Sequence, residues 1–113
     1  MLRDTVFACL LLVGALARPS FADVTGPATV IDGDTIVVAG ERVRLHGIDA
    51  PELRQECTAY GQSWACGQTS AEWLKEHLSG REVECVGHAR DRYGRRLAVC
   101  YVGGASINER LVR

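Results

Sequence analysis

The sequence predicts a mainly β domain of the α+β class, with five strands, one main helix between the third and fourth of them, and a partial helix at the C-terminal end. Three observations carry that prediction. Runs of β-branched residues are separated by Gly-containing turns, a single stretch shows helical spacing of apolar residues, and the length allows one small domain. The 113 residues are 47% apolar and 24% charged, fractions that fit neither a disordered chain nor a fibre.

The first 22 residues stand apart because they read as an export signal. Arg3 gives a short charged start, Val6–Ala17 is an uncharged run of twelve residues, and Ser20-Phe21-Ala22 surrounds a cleavage point after Ala22. A membrane-spanning helix needs roughly 20 apolar residues, more than this run offers. The expected organisation is a signal peptide over 1–22 and a folded domain over 23–113.

Within the domain, Val24–Ile31 is β-rich and ends at the turn signal Asp32-Gly33, after which Thr35–Val38 resumes the β-branched run. These two segments form a predicted hairpin. Ala39-Gly40-Glu41 breaks the run, and Arg42–Ile48, alternating polar and apolar through Leu45, is the third strand. Gly67–Leu78 sets Ala71, Leu74 and Leu78 at helical spacing with Trp73 beside Leu74, and Ser79-Gly80 closes the helix. Arg81–Val86 and Arg96–Val102 are strands four and five, separated by the polar stretch Gly87–Gly94. Ser106 and Glu109 then make the Ser-x-x-Glu capping box of a short second helix. Three meandering strands, a helix and two more strands is the order of a five-stranded OB-fold barrel, an architecture whose sheet face and loops bind nucleic acids or sugars.

Of five cysteines, Cys9 falls inside the expected signal, leaving Cys57, Cys66, Cys85 and Cys100. None forms a Cys-x-x-Cys pair, so zinc-ribbon spacing is absent and an oxidising compartment favours two disulfides. Three pairings are possible. Closeness in sequence favours Cys57–Cys66 and Cys85–Cys100, the second of which would join two predicted strands.

Thirteen basic residues face fourteen acidic ones, for a net charge of −1, and cleavage after Ala22 would leave 11 against 13. That balance excludes a histone-like or polybasic role. Twelve of the basic residues are Arg and only Lys75 is Lys, a bias compatible with an oxyanion site because the planar guanidinium matches phosphate or carboxylate with two hydrogen bonds.

Three short segments carry the chemistry. Asp32-Gly33-Asp34 presents two carboxylates at a turn, Asp49-Ala50-Pro51-Glu52 presents two more at a strand end, and Arg90, Arg92, Arg95 and Arg96 lie within seven positions around Tyr93. Arg44 precedes Asp49 by five residues. Hard oxygen ligands on loops suit Ca²⁺, and carboxylates for a metal with arginines for a phosphate are the groups that phosphodiester hydrolysis requires. Taken singly, Asp32-Gly33-Asp34 reads as a hairpin turn, Asp49–Glu52 as a loop start, and the Arg cluster as a solvated face paired with Glu82 and Glu84. His46, His77 and His88 show no ligand spacing, and Trp64 and Trp73 read as core or helix-packing residues.

Taken together, Val30–Thr35, Arg44–Glu52, Asp91–Arg95 and Asn108–Arg113 resemble the thermonuclease, or staphylococcal-nuclease-like, family of secreted calcium-dependent nucleases. The four segments stand in family order and span almost all of the domain. The resemblance implies that Asp34 and Asp49 bind Ca²⁺ by carboxylate and Ala50 by its backbone carbonyl. It also implies that Glu52 is the general base for water and that Arg44 and Arg95 grip the phosphate. Arg92 and Tyr93 are candidates for nucleotide contact, and Asp32 shapes the turn in support of Asp34. The implied protein is a secreted or periplasmic monomer acting on DNA and RNA, single-stranded or locally open, with no stable membrane association after cleavage. The family continues beyond the position of Arg113 into a C-terminal helix, so the expectation is of a member lacking it. The alternatives are a non-catalytic OB-fold module for nucleic acid or oligosaccharide, and an inactive truncated product. A binding module has no need of Asp34, Arg44, Asp49, Glu52 and Arg95 together.

Overall fold

The protein is described from a computed structural model over residues 22–112; the expected signal peptide, but for Ala22, lies outside the described residues. In chain order the elements are β1 (Val24–Asp32), β2 (Thr35–Val38), β3 (Glu41–Leu45), β4 (Cys57–Ala59), β5 (Gln62–Trp64), α1 (Cys66–Leu78), β6 (Glu82–Val86), β7 (Arg96–Val102), β8 (Ala105–Ser106) and α2 (Ile107–Leu111).

The first strand is long enough to serve two neighbours. Its first half pairs antiparallel with β6, Val24 opposite Cys85, and its second half with β2, Ala28 opposite Val38. The last barrel strand divides in the same way: Val43 to Leu45 of β3 run parallel to Arg96 to Ala98 of β7, and Cys85 of β6 faces Cys100. The parallel β3–β7 pairing closes five strands into the OB-type barrel that the strand order predicts, and closure removes the open edges on which other chains could pair. Inward side chains alternate along each strand, and Ile36, Val38, Val43, Leu45, Val83 and Ala98 fill the interior.

Helix α1 buries Gly67, Ala71, Leu74 and Leu78, a stripe at intervals of four, three and four residues, of which Leu74 and Leu78 cap this core. No side chain caps its N-terminus. A loop carbonyl does so instead: Gln55 O accepts the Gly67 N–H at 3.1 Å, meeting one of the donors that a helix start leaves unpaired. At α2 the predicted N-terminal cap is present, with Ser106 Oγ accepting the Glu109 N–H at 3.1 Å. Asn108 then locks the helix to the barrel. Its buried Oδ1 accepts Cys100 N–H at 2.9 Å, while Nδ2 donates to His46 O at 2.9 Å and Ala98 O at 3.0 Å.

Four local readings change. The third strand ends at Leu45, not Ile48, because the chain turns at His46-Gly47 and the Arg44 guanidinium takes the Leu45 and Ile48 carbonyls. The β4–β5 hairpin has no alternating apolar face and so left no strand signal; Trp64 on it is 46% exposed and is not a core residue. Trp73 is half-buried as expected, with the His77 ring stacked on it at 3.7 Å. The arginines find other partners than Glu82 and Glu84: Arg90 and Arg96 both pair with Glu41 at the start of β3.

Both expected disulfides are present, Cys57–Cys66 and Cys85–Cys100. The second is fully buried between β6 and β7 and closes a separation of 15 residues. Replacing Cys85 and Cys100 together by Ala should lower the unfolding free energy by about 3 kcal/mol, read from urea unfolding. An unchanged urea midpoint would show that the bridge contributes nothing.

The hydrogen bond from Arg90 to Glu41 lowers that carboxyl below its ordinary value against a smaller opposing effect of burial, and Arg96 adds to the lowering. A lowered folded-state value means that the ion pairs stabilise the fold while Glu41 is ionised, and that this contribution fades as pH falls through the folded value. The wild type should therefore melt above Glu41→Gln at neutral pH, with the gap closing as the pH falls below the ordinary carboxylate range and Glu41 takes up its proton. A gap independent of pH would exclude this origin.

Candidate active site

Gly33 allows the site to assemble. A Cβ at this position would lie 2.7 Å from Ser70 Cβ and 2.8 Å from Ala50 Cβ, so only glycine lets the β1–β2 turn press between α1 and the Asp49–Ala50 segment. The sequence reads Asp32-Gly33 as a turn signal, and the structure adds that the glycine is also demanded by packing. The Asp34 N–H donates to Asp32 Oδ1 at 3.1 Å, which sets the turn. Burial first, and then the adjoining Asp34 carboxyl, raise Asp32 above its ordinary value.

Asp34 is 7% exposed, and three groups meet its carboxylate. Thr35 Oγ1 donates to Oδ1 at 3.0 Å, Ala50 N–H donates to Oδ2 at 3.1 Å, and Arg44 Nη1 lies 3.4 Å from Oδ2. A residue at the start of β2 is thereby joined to the end of β3 and to a loop sixteen positions later. Arg44 Nη1 also holds the loop through the Leu45 and Ile48 carbonyls. Its Nε–Nη2 edge makes no hydrogen bond to the described residues, and that edge of a guanidinium can clasp a phosphate with two bonds.

Arg95, which directly precedes β7, reaches the same place from the strand paired with β3. Its Nη1 donates to Thr35 Oγ1 at 3.2 Å and its Nε to Asp91 Oδ2 at 2.7 Å. Asp91 Oδ1 accepts the backbone N–H groups of Tyr93 and Arg95, both at 2.9 Å, so one carboxylate shapes the Asp91–Arg95 turn and aims its arginine. Burial pulls Asp91 upward, but the hydrogen bonds from Arg95 and Tyr93 together outweigh it and lower its pKa. Tyr93 is 63% exposed, with the guanidinium carbons of Arg92 and Arg95 at 5.0 and 5.5 Å from its ring centre. The sequence reading gave Asp91 no role; its spacing of four from Arg95 was the available signal.

The structure thus brings together Asp34, Arg44, Ala50 and, through Thr35, Arg95. Asp49 is exposed beside Ala50, and both line a groove of about 530 Å³ with Gly33, Ser70, Trp73 and Arg110. The other predicted site residues do not line it. Glu52 is exposed, and its carboxylate has no hydrogen bond to the described residues, although its backbone is held on both sides by Gln55. Arg92 contacts only the Tyr93 ring among the interactions described.

The model of the staphylococcal nuclease homologue family matches residues 42–113. Succinoglycan biosynthesis protein ExoI of Rhizobium meliloti (strain 1021) is 45% identical over 92 residues, covering 79% of this chain and 48% of that protein. An uncharacterized endonuclease of Escherichia coli O157:H7 is 39% identical over 98 residues, covering 81% and 58%. The thermonuclease of Staphylococcus intermedius is 35% identical over 106 residues, covering 85% and 61%. The chain therefore spans about half the length of the curated relatives it matches. A family model matched over residues 42–113, on a barrel whose strands and turns gather Asp34, Arg44, Ala50 and Arg95, assigns the protein: it belongs to the staphylococcal nuclease homologue family.

Proposed function

We propose that this protein is a secreted or periplasmic calcium-dependent nuclease that hydrolyses phosphodiester bonds of DNA and RNA. The observation that carries the reading is the junction at Asp34, where a buried carboxylate meets Ala50 and Arg44 directly and Arg95 through Thr35. An oxyanion-binding pair of arginines set around a carboxylate site is what attack on a phosphodiester needs, and the nuclease relatives support that use. The two disulfides support an oxidising compartment. The signal peptide over 1–22 and the domain from 23 onward are part of the same proposal.

Among the described residues no group of three or more His, Cys, Asp or Glu side chains is arranged to hold a metal. The donors that do meet are nonetheless of the type that Ca²⁺ takes, since Asp34 lies on the Ala50 backbone, Asp49 adjoins it, and a carbonyl can complete a carboxylate pair. Asp34, Asp49 and the Ala50 carbonyl would hold the ion, which when bound supplies Lewis-acid stabilisation of charge on the phosphoryl oxygens. Glu52, exposed and without a side-chain partner, takes the proton of the attacking water. Arg44 offers its Nε–Nη2 edge and Arg95 its Nη2 to the phosphoryl oxygens as negative charge builds on them. Tyr93 and Arg92 flank the nucleotide at the exposed end, where strands that are single or locally open have room to enter.

Hydrolysis of single-stranded DNA and of RNA should require Ca²⁺ and stop on chelation, and Glu52→Gln should lower turnover by at least roughly 10²-fold. Binding of nucleotide without cleavage by the wild type would favour a binding module instead. Calorimetry with nucleotide present should give a Ca²⁺ Kd of about 10⁻⁴ to 10⁻³ M, with binding lost in Asp34→Ala and in Asp49→Ala. Unchanged Ca²⁺ binding in both variants would remove the site.

A further inference from the structure

Glu52 sits on a loop that is exposed along its whole length from Glu52 to Glu56, yet its backbone is packed against α1. A Cβ on Gly67 would lie 1.7 Å from the Glu52 carbonyl oxygen and 2.8 Å from that of Leu53, so the loop rests directly on the bare backbone of the first turn of α1. Gln55 clasps Glu52 from both sides: its Oε1 accepts the Glu52 N–H at 3.2 Å, and its own N–H donates to Glu52 O at 2.9 Å. The Gln55 carbonyl then accepts the Gly67 N–H. Two residues after Gln55, Cys57 is bonded to Cys66, the residue before Gly67, with 5.6 Å between their Cα atoms. The hairpin that carries Cys57 packs no apolar face of its own, and Tyr60 at its tip is fully exposed. The disulfide is therefore the covalent tie from the hairpin to the helix, beside the contacts by which the loop rests on Gly67.

We infer that the Cys57–Cys66 disulfide, Gly67 and Gln55 form a clamp that positions Glu52 for proton transfer, which makes them positioning residues for the proposed reaction. The inference rests on the reading of Glu52 as general base. Cys85–Cys100 serves a different purpose, since it is buried at 0% exposure and holds barrel strands together, whereas Cys57 is partly exposed on the hairpin. The clamp can thus be opened while the barrel stays closed. A shift of about 1 Å in a catalytic group can cost on the order of 10²-fold in rate, so loss of the clamp is expressed in turnover.

The test uses the full chain with Ca²⁺ and two independent routes, Cys57→Ser with Cys66→Ser, and Gly67→Ala, which pushes the Glu52 carbonyl away with the disulfide intact. Amide hydrogen exchange should quicken at least about 10-fold at Glu52 and Gln55, whose N–H groups the clamp bonds, in both variants and stay unchanged in the barrel strands, a readout independent of activity. Turnover should fall at least about 10-fold, with KM and the Ca²⁺ Kd within about twofold of wild type. Placed in a Glu52→Gln background, the same changes should cost nothing further, because a clamp acting through Glu52 has nothing left to position. Unchanged loop exchange overturns the inference, as does a loss of turnover that simply adds to that of Glu52→Gln. Full activity in Glu52→Gln overturns the general-base reading and the inference with it. Impaired Glu52→Gln beside fully active clamp variants overturns the inference alone.

Discussion

A carboxylate can be buried at the start of a strand only if its charge is answered there, and at Asp34 the answer comes from three separate parts of the chain. Thr35 is its neighbour, Arg44 lies across the β2–β3 pairing, and Ala50 belongs to the loop that follows. Leaving such a group without partners costs several kcal/mol, so the burial of Asp34 and the placement of Arg44 and Ala50 are conditions of one another. The Thr35 hydroxyl extends the dependence to the start of β7, since it donates to Asp34 and accepts from Arg95. Asp91 then fixes Arg95, and the exposed Tyr93 is carried on the same turn. The candidate site is in this sense a chain of hydrogen bonds that starts from one buried charge.

Two glycines make that chain geometrically possible by removing side chains where segments press together. Gly33 lets the β1–β2 turn reach Ala50 and Ser70, and Gly67 lets the Glu52 carbonyl rest on α1. The Gly33 backbone meets the Cβ atoms of Ser70 and Ala50, the Gly67 backbone meets backbone carbonyls, and a Cβ would block either approach. The helix gains from the second contact as well, because the same loop supplies the acceptor that its N-terminus lacks. Asn108 plays a corresponding part where α2 meets the barrel: its amide takes the His46 carbonyl just past β3 and the Ala98 carbonyl within β7.

The order of elements was legible because period and punctuation are local. Alternation through Arg42–Leu45, the Ala71, Leu74 and Leu78 spacing of α1, the Ser106–Glu109 cap and the Gly-containing turns each act within a few residues. The resemblance carried by Val30–Thr35, Arg44–Glu52, Asp91–Arg95 and Asn108–Arg113 also pointed to the family that residues 42–113 match. The β4–β5 hairpin was not legible: Thr58, Gln62 and Ser63 bury no face, and what holds the hairpin is a covalent bridge to Cys66. Trp64 was misread for the same reason, since an aromatic residue predicts burial only where a packed face exists to receive it.

The sequence by itself determined the class of fold, the residues able to carry charge and the four cysteines able to bridge, because composition, periodicity and spacing are properties of the chain alone. Which charges meet was decided only by the tertiary structure. Arg90 and Arg96 take Glu41 and not Glu82 or Glu84, Arg44 divides its guanidinium between Asp34 and two loop carbonyls, and Asp91 turns out to direct Arg95. Those choices depend on barrel closure through the parallel β3–β7 pairing, which brings together strands more than fifty residues apart. Nothing local encodes that proximity. It arises when the apolar faces of five strands are buried on one another and the polar groups at their ends are left to find partners in the space that remains.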